Sequence, residues 1–214
     1  MKKVELNENQ VHIWRAHLDS EHLNDLKNLL SKEELARADR LRFEKQRNRF
    51  IAARGLLRHI LSRYTGERPE ELRFRYNSNG KPELHDKKVC FNLSHSGDTA
   101  LCAVTLDKAV GIDVEKIRED IEYKKLAKQY LSEKESNTIL SLPEEQQKEA
   151  FYRCWVRKEA CVKAKGGSLS ELLGKNDDTS KWFIADLDMD SYIAAVAVEG
   201  KQAEIRYFSD STCL

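Results

Sequence analysis

The sequence predicts an α+β fold of two similar α+β subdomains, each a small antiparallel sheet with helices, in a pseudo-twofold arrangement. Helix signals and strand signals occur in both halves of the 214-residue chain, in roughly the same order. This length suits one large domain or two small ones. We place the boundary after residue 107, which gives predicted subdomains at 1–107 and 108–214.

The first half is predicted to mix strands with one long helical stretch. Ser31 and Glu34 form the S-x-x-E capping pattern that begins a helix. Asn79-Gly80 is a strong turn signal, and residues 94–98 are expected to form a loop inside a hairpin. The predicted elements are strands 11–16 and 72–76, a helical stretch 32–63, and a hairpin of strands 89–93 and 100–106.

The second half is predicted to contain one strand, then helices, then three strands. Ser132 and Glu135 repeat the capping pattern, and Pro143 suits the start of a helix that stops at Gly166-Gly167. A tight hairpin is expected at 199–201. The predicted elements are a strand 110–117, helices 119–130, from 133, and 143–165, and strands 182–187, 192–198 and 203–208.

Composition limits the classes of function. Hydrophobic residues make up 40% of the chain, charged residues 34%, and the formal net charge is +1, as in an ordinary soluble globular protein. The N-terminus has no secretory pattern, and no apolar stretch is long enough to span a bilayer. Five cysteines without a CxxC pair favour reduced thiols. We therefore expect a cytoplasmic protein that is not a membrane binder.

Carboxylates at two places in the chain suggest a metal site. Asp113 and Glu115 alternate with apolar residues in VGIDVEKI, so they point the same way on a strand, about 7 Å apart. Glu159 and Lys163 lie one turn apart on the helix 143–165. Solvated strand acids and a surface Glu–Lys pair are the simpler alternatives. If the helix crosses the strand, three carboxylates beside a lysine suit Mg²⁺ with a bound phosphate.

Other polar and basic residues are weak signals when each is taken alone. Asn92, Ser94 and His95 offer donors at the end of a strand, where binding residues concentrate. Arg54 lies on an apolar helix and Lys81 in a turn. An arginine with a buried stem and a solvated lysine are the ordinary interpretations of these two residues.

Three motifs in fixed order carry a resemblance. They are FNLSHSG at 91–97, VGIDVEKI at 110–117 and FYRCWVRKEACVKAKGG at 151–167. In this order and spacing they resemble the 4′-phosphopantetheinyl transferases of the surfactin-synthetase-activating (Sfp-like) type, whose signatures are G-I-D-x-E and W-x-x-K-E-x-x-x-K. The resemblance is strongest from Phe91 to Lys163 and extends more loosely over nearly the whole chain.

The resemblance implies a reaction and its partners. It implies a monomer that binds coenzyme A and Mg²⁺, with Mn²⁺ as the alternative metal, between its two halves. The phosphopantetheine arm would pass to a serine of an apo acyl or peptidyl carrier protein, releasing adenosine 3′,5′-bisphosphate. The carrier, and whether it serves fatty acid, polyketide or nonribosomal peptide synthesis, is left open.

The resemblance also implies roles for individual residues. Glu159 would be the base, directly or through a water, and Lys163 would contact the pyrophosphate; which group is the base stays open. Arg37 and Arg49 are further candidates near the 3′-phosphate, without assigned roles. The implied metal ligands are Asp113, Glu115 and Glu159. The implied coenzyme-binding residues are Arg54, Asn79, Gly80, Lys81, Asn92, Ser94, His95, Lys158 and Lys163.

Three other functions compete with this one. The segment 32–63 carries ten Lys or Arg and four acids, a local charge of +6, which would suit a nucleic-acid-binding module. The near-neutral total charge argues against it. An inactive carrier-binding module would not need Asp113, Glu115, Glu159 and Lys163. A different Mg²⁺-dependent phosphoryl enzyme is the third alternative, and the lack of a P-loop removes only some of these.

Overall fold

A computed structural model describes residues 3–18, 22–86, 88–167 and 179–209. Within these ranges the chain forms the expected mixture of helices and small sheets. No helix among the described residues is long and apolar enough to cross a membrane.

The first half begins and ends with strands and has three helices between them. A short 3-10 turn at Pro69–Glu71 follows the longest helix. The elements are β1 Gln10–His17, α1 Leu23–Asn28, α2 Lys32–Asp39, α3 Glu44–Thr65, β2 Phe74–Tyr76, β3 Pro82–Leu84, β4 Val89–Ser96 and β5 Thr99–Leu106.

The second half follows the predicted order of elements. The helix expected from 119 begins later, at Tyr123. The elements are β6 Val110–Lys116, α4 Tyr123–Tyr130, α5 Glu133–Leu140, α6 Glu144–Lys165, β7 Trp182–Leu187, β8 Tyr192–Glu199 and β9 Glu204–Ser209.

Local capping chemistry sets several helix ends. Ser31 and Ser132 form complete capping boxes at the starts of α2 and α5, as predicted. Gly166 ends α6 with a left-handed φ of 70°. The predicted continuous helix 32–63 is wrong, because Phe43 adopts an extended conformation between α2 and α3. The guanidinium of Arg47 donates to the carbonyl of Leu41 in this break.

The strands form three sheets. The four-stranded sheet has the order β4-β5-β1-β9, the three-stranded sheet has the order β6-β8-β7, and β2 pairs with β3. The hairpin predicted from 89 to 106 is confirmed as antiparallel β4 and β5. Its first strand is longer than predicted, because β4 continues through Ser96.

The last strand does not pair with its neighbour in sequence. A tight hairpin of β8 and β9 was expected at 199–201, and this prediction is wrong. Instead β9 crosses to the first sheet and runs parallel to β1. Phe208 on β9 stacks on Trp14 of β1, with ring centres 4.6 Å apart. The apolar residues of β9 are thereby partly buried against the first half of the chain.

Helix α6 lies directly across β6 and β8. A Cβ added at Gly111 would lie 2.0 Å from the carbonyl oxygen of Ala160 and 2.3 Å from the amide nitrogen of Ala164. Main chain therefore touches main chain at this crossing, and only glycine fits. Because Asp113 and Glu115 lie on β6 and Glu159 and Lys163 on α6, the crossing brings the predicted site together.

Candidate active site

Strands β4 and β6 lie side by side and exchange hydrogen bonds through side chains. Ser94 Oγ donates to Asp113 Oδ1 at 2.9 Å. One step along, Ser96 Oγ donates to Glu115 Oε2 at 2.8 Å. The two carboxylates that the sequence placed on one strand face are therefore each held by a serine from the neighbouring strand.

Asn92 completes this row of polar contacts. Its Oδ1 accepts the main-chain N–H of Ile112 at 2.9 Å, and its side chain is buried. Residues 92, 94 and 96 alternate along β4, so they share one face. The expectation that 94–98 form a loop is wrong for 94–96, and it concealed this alternation. Ser96, which the sequence analysis missed, follows from the same period of two once the strand is extended.

Lys163 reaches this row from α6. Its Nζ lies 2.5 Å from Asp113 Oδ1 and 3.1 Å from Ser94 Oγ. The carboxylate of Asp113 is almost fully buried, whereas the Lys163 side chain is half-buried. A partly buried ion pair thus joins α6 to β6, and the contact with Ser94 joins α6 to β4.

The carboxylates of Glu115 and Glu159 both have raised pKa values. Burial, with a contribution from the negative charge of Asp113, raises the pKa of Glu115, although the hydrogen bond from Ser96 opposes this. Burial raises the pKa of Glu159 to about 6, and the charges of Asp113 and Glu115 add to that effect. The three carboxylates therefore act on one another electrostatically.

The described residues include no group of three His, Cys, Asp or Glu side chains already arranged to hold a metal ion. The donor chemistry nevertheless fits a divalent cation. Oδ2 of Asp113 is buried and has no hydrogen-bond partner among the described residues. A buried carboxylate oxygen without a partner, near two carboxylates with raised pKa values, suits a hard cation such as Mg²⁺.

Two arginines, one on α2 and one on α3, share a contact with Phe50. The guanidinium carbons of Arg37 and Arg54 lie 5.6 and 5.7 Å from the ring centre of Phe50. Nη1 of Arg54 is buried without a hydrogen-bond partner in the described part of the chain, and burial lowers its pKa. Such an arginine is suited to an anionic ligand.

His95 lies at the end of β4, where the positive charges of Lys163 and Arg49 act on it. Arg49 forms an ion pair with Asp98 in the turn after β4. Removal from water, together with the positive charges of Lys163 and Arg49, lowers the pKa of His95, although part of its side chain stays open to solvent. His95 is therefore favoured in its neutral form.

Lys81 and Asn79 contact the end of α6. Nζ of Lys81 donates to the carbonyl oxygens of Lys163 at 2.6 Å and Val110 at 2.9 Å. Nδ2 of Asn79 donates to the carbonyl oxygen of Gly166 at 2.9 Å. Gly80 between them has a left-handed φ of 81°. The side chains of this turn are thus engaged with protein.

Lys158 lies on a different side of α6 from Lys163. A separation of five residues corresponds to a rotation of about 140° around a helix. Its Nζ donates to Glu135 Oε2 at 2.7 Å, and the side chain is buried. Its implied phosphate contact stays a prediction that these contacts do not favour.

Comparisons with known proteins agree with the two-part fold. A family model described as the 4′-phosphopantetheinyl transferase superfamily matches residues 109–210. A second, described as 4′-phosphopantetheinyl transferase, N-terminal, matches residues 13–107. The chain is 40% identical over 209 residues to the 4′-phosphopantetheinyl transferase HetI of Nostoc sp. strain PCC 7120, covering 89% of this chain and 88% of the relative.

Two further relatives are more distant. The chain is 37% identical over 129 residues to the 4′-phosphopantetheinyl transferase AcpT of Escherichia coli K12, covering 60% of this chain and 63% of the relative. It is 29% identical over 155 residues to the 4′-phosphopantetheinyl transferase Sfp of Bacillus subtilis 168, covering 72% and 67%.

The two-part α+β fold, with a family model matched over each part, defines a transferase class. The chain belongs to the 4′-phosphopantetheinyl transferase superfamily. Its identity to HetI exceeds its identity to Sfp. These identities support the superfamily and do not establish the expected Sfp-like subtype.

Proposed function

We propose that the chain transfers the 4′-phosphopantetheine arm of coenzyme A to a serine of an apo acyl or peptidyl carrier protein, releasing adenosine 3′,5′-bisphosphate. The observation that carries this proposal is the contact of Lys163 with both Asp113 and Ser94. It joins a phosphate-binding cation to a carboxylate site, in a chain of the phosphopantetheinyl transferase superfamily.

We propose that Asp113, Glu115 and Glu159 hold a Mg²⁺ ion, with Mn²⁺ as an alternative. The unpartnered Oδ2 of Asp113 and the raised pKa values of both glutamates support this set. When bound, the ion would neutralise these carboxylates and polarise the phosphoryl oxygens of coenzyme A. Hydrogen bonds from Ser94 and Ser96 would hold the carboxylates of Asp113 and Glu115 in position before the ion binds.

The chain's own groups then handle the proton and the leaving charge. The carrier serine oxygen forms a bond to the β-phosphorus as the bond from that phosphorus to the bridging oxygen breaks. Glu159 accepts the hydroxyl proton, directly or through a water. Lys163 stabilises the negative charge that develops on the departing bisphosphate.

We propose that the nucleotide end of coenzyme A lies on the first half of the chain. The buried, unpartnered Nη1 of Arg54 supports contact with the 3′-phosphate, with Arg37 beside it. Ser94 and His95 would lie between this end and the pyrophosphate. The resemblance also implies that Asn79, Gly80 and Lys81 lie along the coenzyme, but the contacts of Lys81 favour another role.

The proposal has a direct chemical test. An apo acyl carrier protein and an apo peptidyl carrier protein are each incubated with the enzyme, coenzyme A and Mg²⁺, and intact masses are measured. We expect a gain of about 340 Da that disappears with EDTA. Glu159→Ala should slow the transfer by about 100-fold or more. Glu149→Ala is the matched control, since it removes an exposed carboxylate from the same helix.

The result separates the alternatives. A gain on one carrier only would begin to define its pathway. No gain on either carrier, with coenzyme A still bound, would refute the proposed reaction. Tight, strongly salt-dependent binding to random DNA without transfer would favour the nucleic-acid alternative.

We further propose an Sfp-like enzyme that acts as a cytoplasmic monomer, divided near residue 107 except that β9 returns to the first sheet. The match of separate family models to 13–107 and 109–210 supports two subdomains within one chain. Transfer to both acyl and peptidyl carriers would support the Sfp-like subtype, and light scattering would measure the molar mass in solution.

A further inference from the structure

The end of α6 needs partners from outside the helix. The last carbonyl groups of a helix have no N–H donor within it, and they carry partial negative charge. At this end the N–H of Gly166 contacts the carbonyl of Lys163 at 3.2 Å, and that of Gly167 contacts Val162 at 3.0 Å. Because α6 bears Glu159 and Lys163, the position of its last turn determines where these two side chains project.

Lys81 provides a cation at this helix end. Its Nζ donates to the carbonyl oxygens of Lys163 at 2.6 Å and Ala164 at 3.4 Å, both in the last turn of α6. It also donates to the carbonyl of Val110 at 2.9 Å, at the start of β6. An ammonium group has three N–H donors, so these carbonyls use its whole capacity. One group thus fastens the helix of Lys163 to the strand of Asp113.

Two asparagines of the same turn reinforce the attachment. Nδ2 of Asn77 and Nδ2 of Asn79 each donate to the carbonyl oxygen of Gly166 at 2.9 Å. Oδ1 of Asn77 accepts the N–H groups of Asn79 and Lys81, which shapes the turn itself. We call Asn77, Asn79 and Lys81 the hairpin bracket, since they join the β2–β3 hairpin to α6.

The environment of Lys81 agrees with an internal role. Its side chain is partly buried, and burial lowers its pKa to about 8. Cδ of Lys81 lies 3.9 Å from the position that a Cβ would take at Gly166. A lysine that reached out to a phosphate would instead keep its ammonium in water until the ligand arrived.

We propose that Lys81 is a positioning residue for the transfer reaction. Its ammonium holds the last turn of α6 against the start of β6, and this sets the contact of Lys163 with Asp113. It does so through main-chain carbonyls, without touching the nucleotide of coenzyme A. The proposal rests on the proposed function only for its kinetic consequence.

Lys81→Met tests the proposal with a matched control. The methionine keeps an apolar stem of similar length but removes the donors. Lys165→Met removes the same charge from the same end of α6, where Lys165 is exposed. Three quantities are measured for each variant: hydrogen exchange at the amides of Gly166 and Gly167, the dissociation constant of adenosine 3′,5′-bisphosphate, and the kcat and KM of transfer.

The hairpin bracket predicts a distinct pattern in Lys81→Met. Exchange at Gly166 and Gly167 should become about tenfold faster. The kcat should fall about tenfold or more, because a small displacement of Lys163 weakens its action on the developing charge. The dissociation constant of the bisphosphate and the KM for coenzyme A should change by less than about threefold. Lys165→Met should match the wild type in all three.

Other outcomes would overturn the proposal. A tenfold weaker affinity for the bisphosphate with unchanged exchange would show that Lys81 contacts the nucleotide. Unchanged exchange and unchanged kcat would show that the bracket holds nothing in place. If Lys81→Met does not fold, Asn79→Ala, which removes one donor to Gly166 from an exposed side chain, should show faster exchange at Gly167, and unchanged exchange there would refute the bracket. If the wild type transfers nothing, the proposed function fails, and exchange alone still decides the role of the bracket.

Discussion

Replacing Gly111 with alanine should both destabilise the protein and displace α6. The new Cβ would lie 2.0 Å from the carbonyl oxygen of Ala160 and 2.3 Å from the amide nitrogen of Ala164. Ordinary contacts need about 3.5 Å, so the helix and strand would have to separate by about 1 Å or more. Main-chain atoms cannot rotate away as a side chain can. Overpacking of this kind lowers the free energy of unfolding by about 1–3 kcal/mol.

Urea unfolding of Gly111→Ala measures this loss, with transfer kinetics measured in parallel. In a strand without the clash, alanine would be more stable than glycine by about 0.5–1 kcal/mol. Gly66→Ala is a useful control, since its Cβ would meet nothing within 4 Å and the cost is limited to the left-handed φ of 79°. That strain is about 1–2 kcal/mol and leaves α6 in place.

Gly111→Ala and Gly66→Ala should therefore differ in kcat as well as in stability. Gly111→Ala should lose stability and also lose kcat, because Glu159 and Lys163 move with the helix. Gly66→Ala should lose stability alone. If Gly111→Ala unfolds at the wild-type urea concentration with a wild-type kcat, the close crossing of β6 and α6 is not the reason for glycine in this motif.

Three further predictions concern buried polar groups. Ser96→Ala should raise the Mg²⁺ concentration needed for half-maximal transfer about tenfold, because Glu115 loses the hydrogen bond that favours its charged form. Burial, followed by the charge of Arg206, lowers the pKa of His12 from 6.5 to about 4. The unfolded chain therefore binds more protons in that interval, and the free energy of unfolding should fall by up to about 3 kcal/mol as pH drops from 6.5 to 4. Glu34→Ala should lower the free energy of unfolding by about 3 kcal/mol, since it leaves the guanidinium of Arg58 buried without its carboxylate.

Each of these has an outcome that contradicts it. An unchanged Mg²⁺ requirement in Ser96→Ala would mean that Glu115 is not a ligand or is oriented by other groups. Urea unfolding across the pH range measures the His12 effect, and His12→Gln should flatten the slope; an equal slope in both proteins would assign it elsewhere. A loss below about 1 kcal/mol in Glu34→Ala would put this pair in the range of exposed ion pairs.

The parts of the fold that sequence predicts well are those with local causes. Ser31 and Ser132 each place a cap and its glutamate within four residues, so the starts of α2 and α5 follow from short stretches. The alternation in VGIDVEKI likewise gives β6 and the shared face of Asp113 and Glu115 directly.

The parts that sequence misses depend on distant partners. The residues between β8 and β9 give no local signal that β9 pairs with β1 and not with β8. Ser96 was hidden because β4 continues only where β5 is present to pair with it. Lys81 lies in a turn and Lys158 on a helix, yet each side chain is directed by acceptors far away in the sequence, the end of α6 for Lys81 and Glu135 for Lys158.

The pairing of β9 with β1 affects how the protein folds during its synthesis. The first sheet has β1 next to β9, which is synthesised about 190 residues later. Until then, β1 presents an open edge, and the ring of Trp14 lacks the Phe208 ring that stacks on it. The first half of the nascent chain therefore contains a sheet that lacks its edge strand, β9. Separating the halves at residue 107 should yield a fragment prone to self-association, which peptide 204–209 supplied in trans would be expected to relieve.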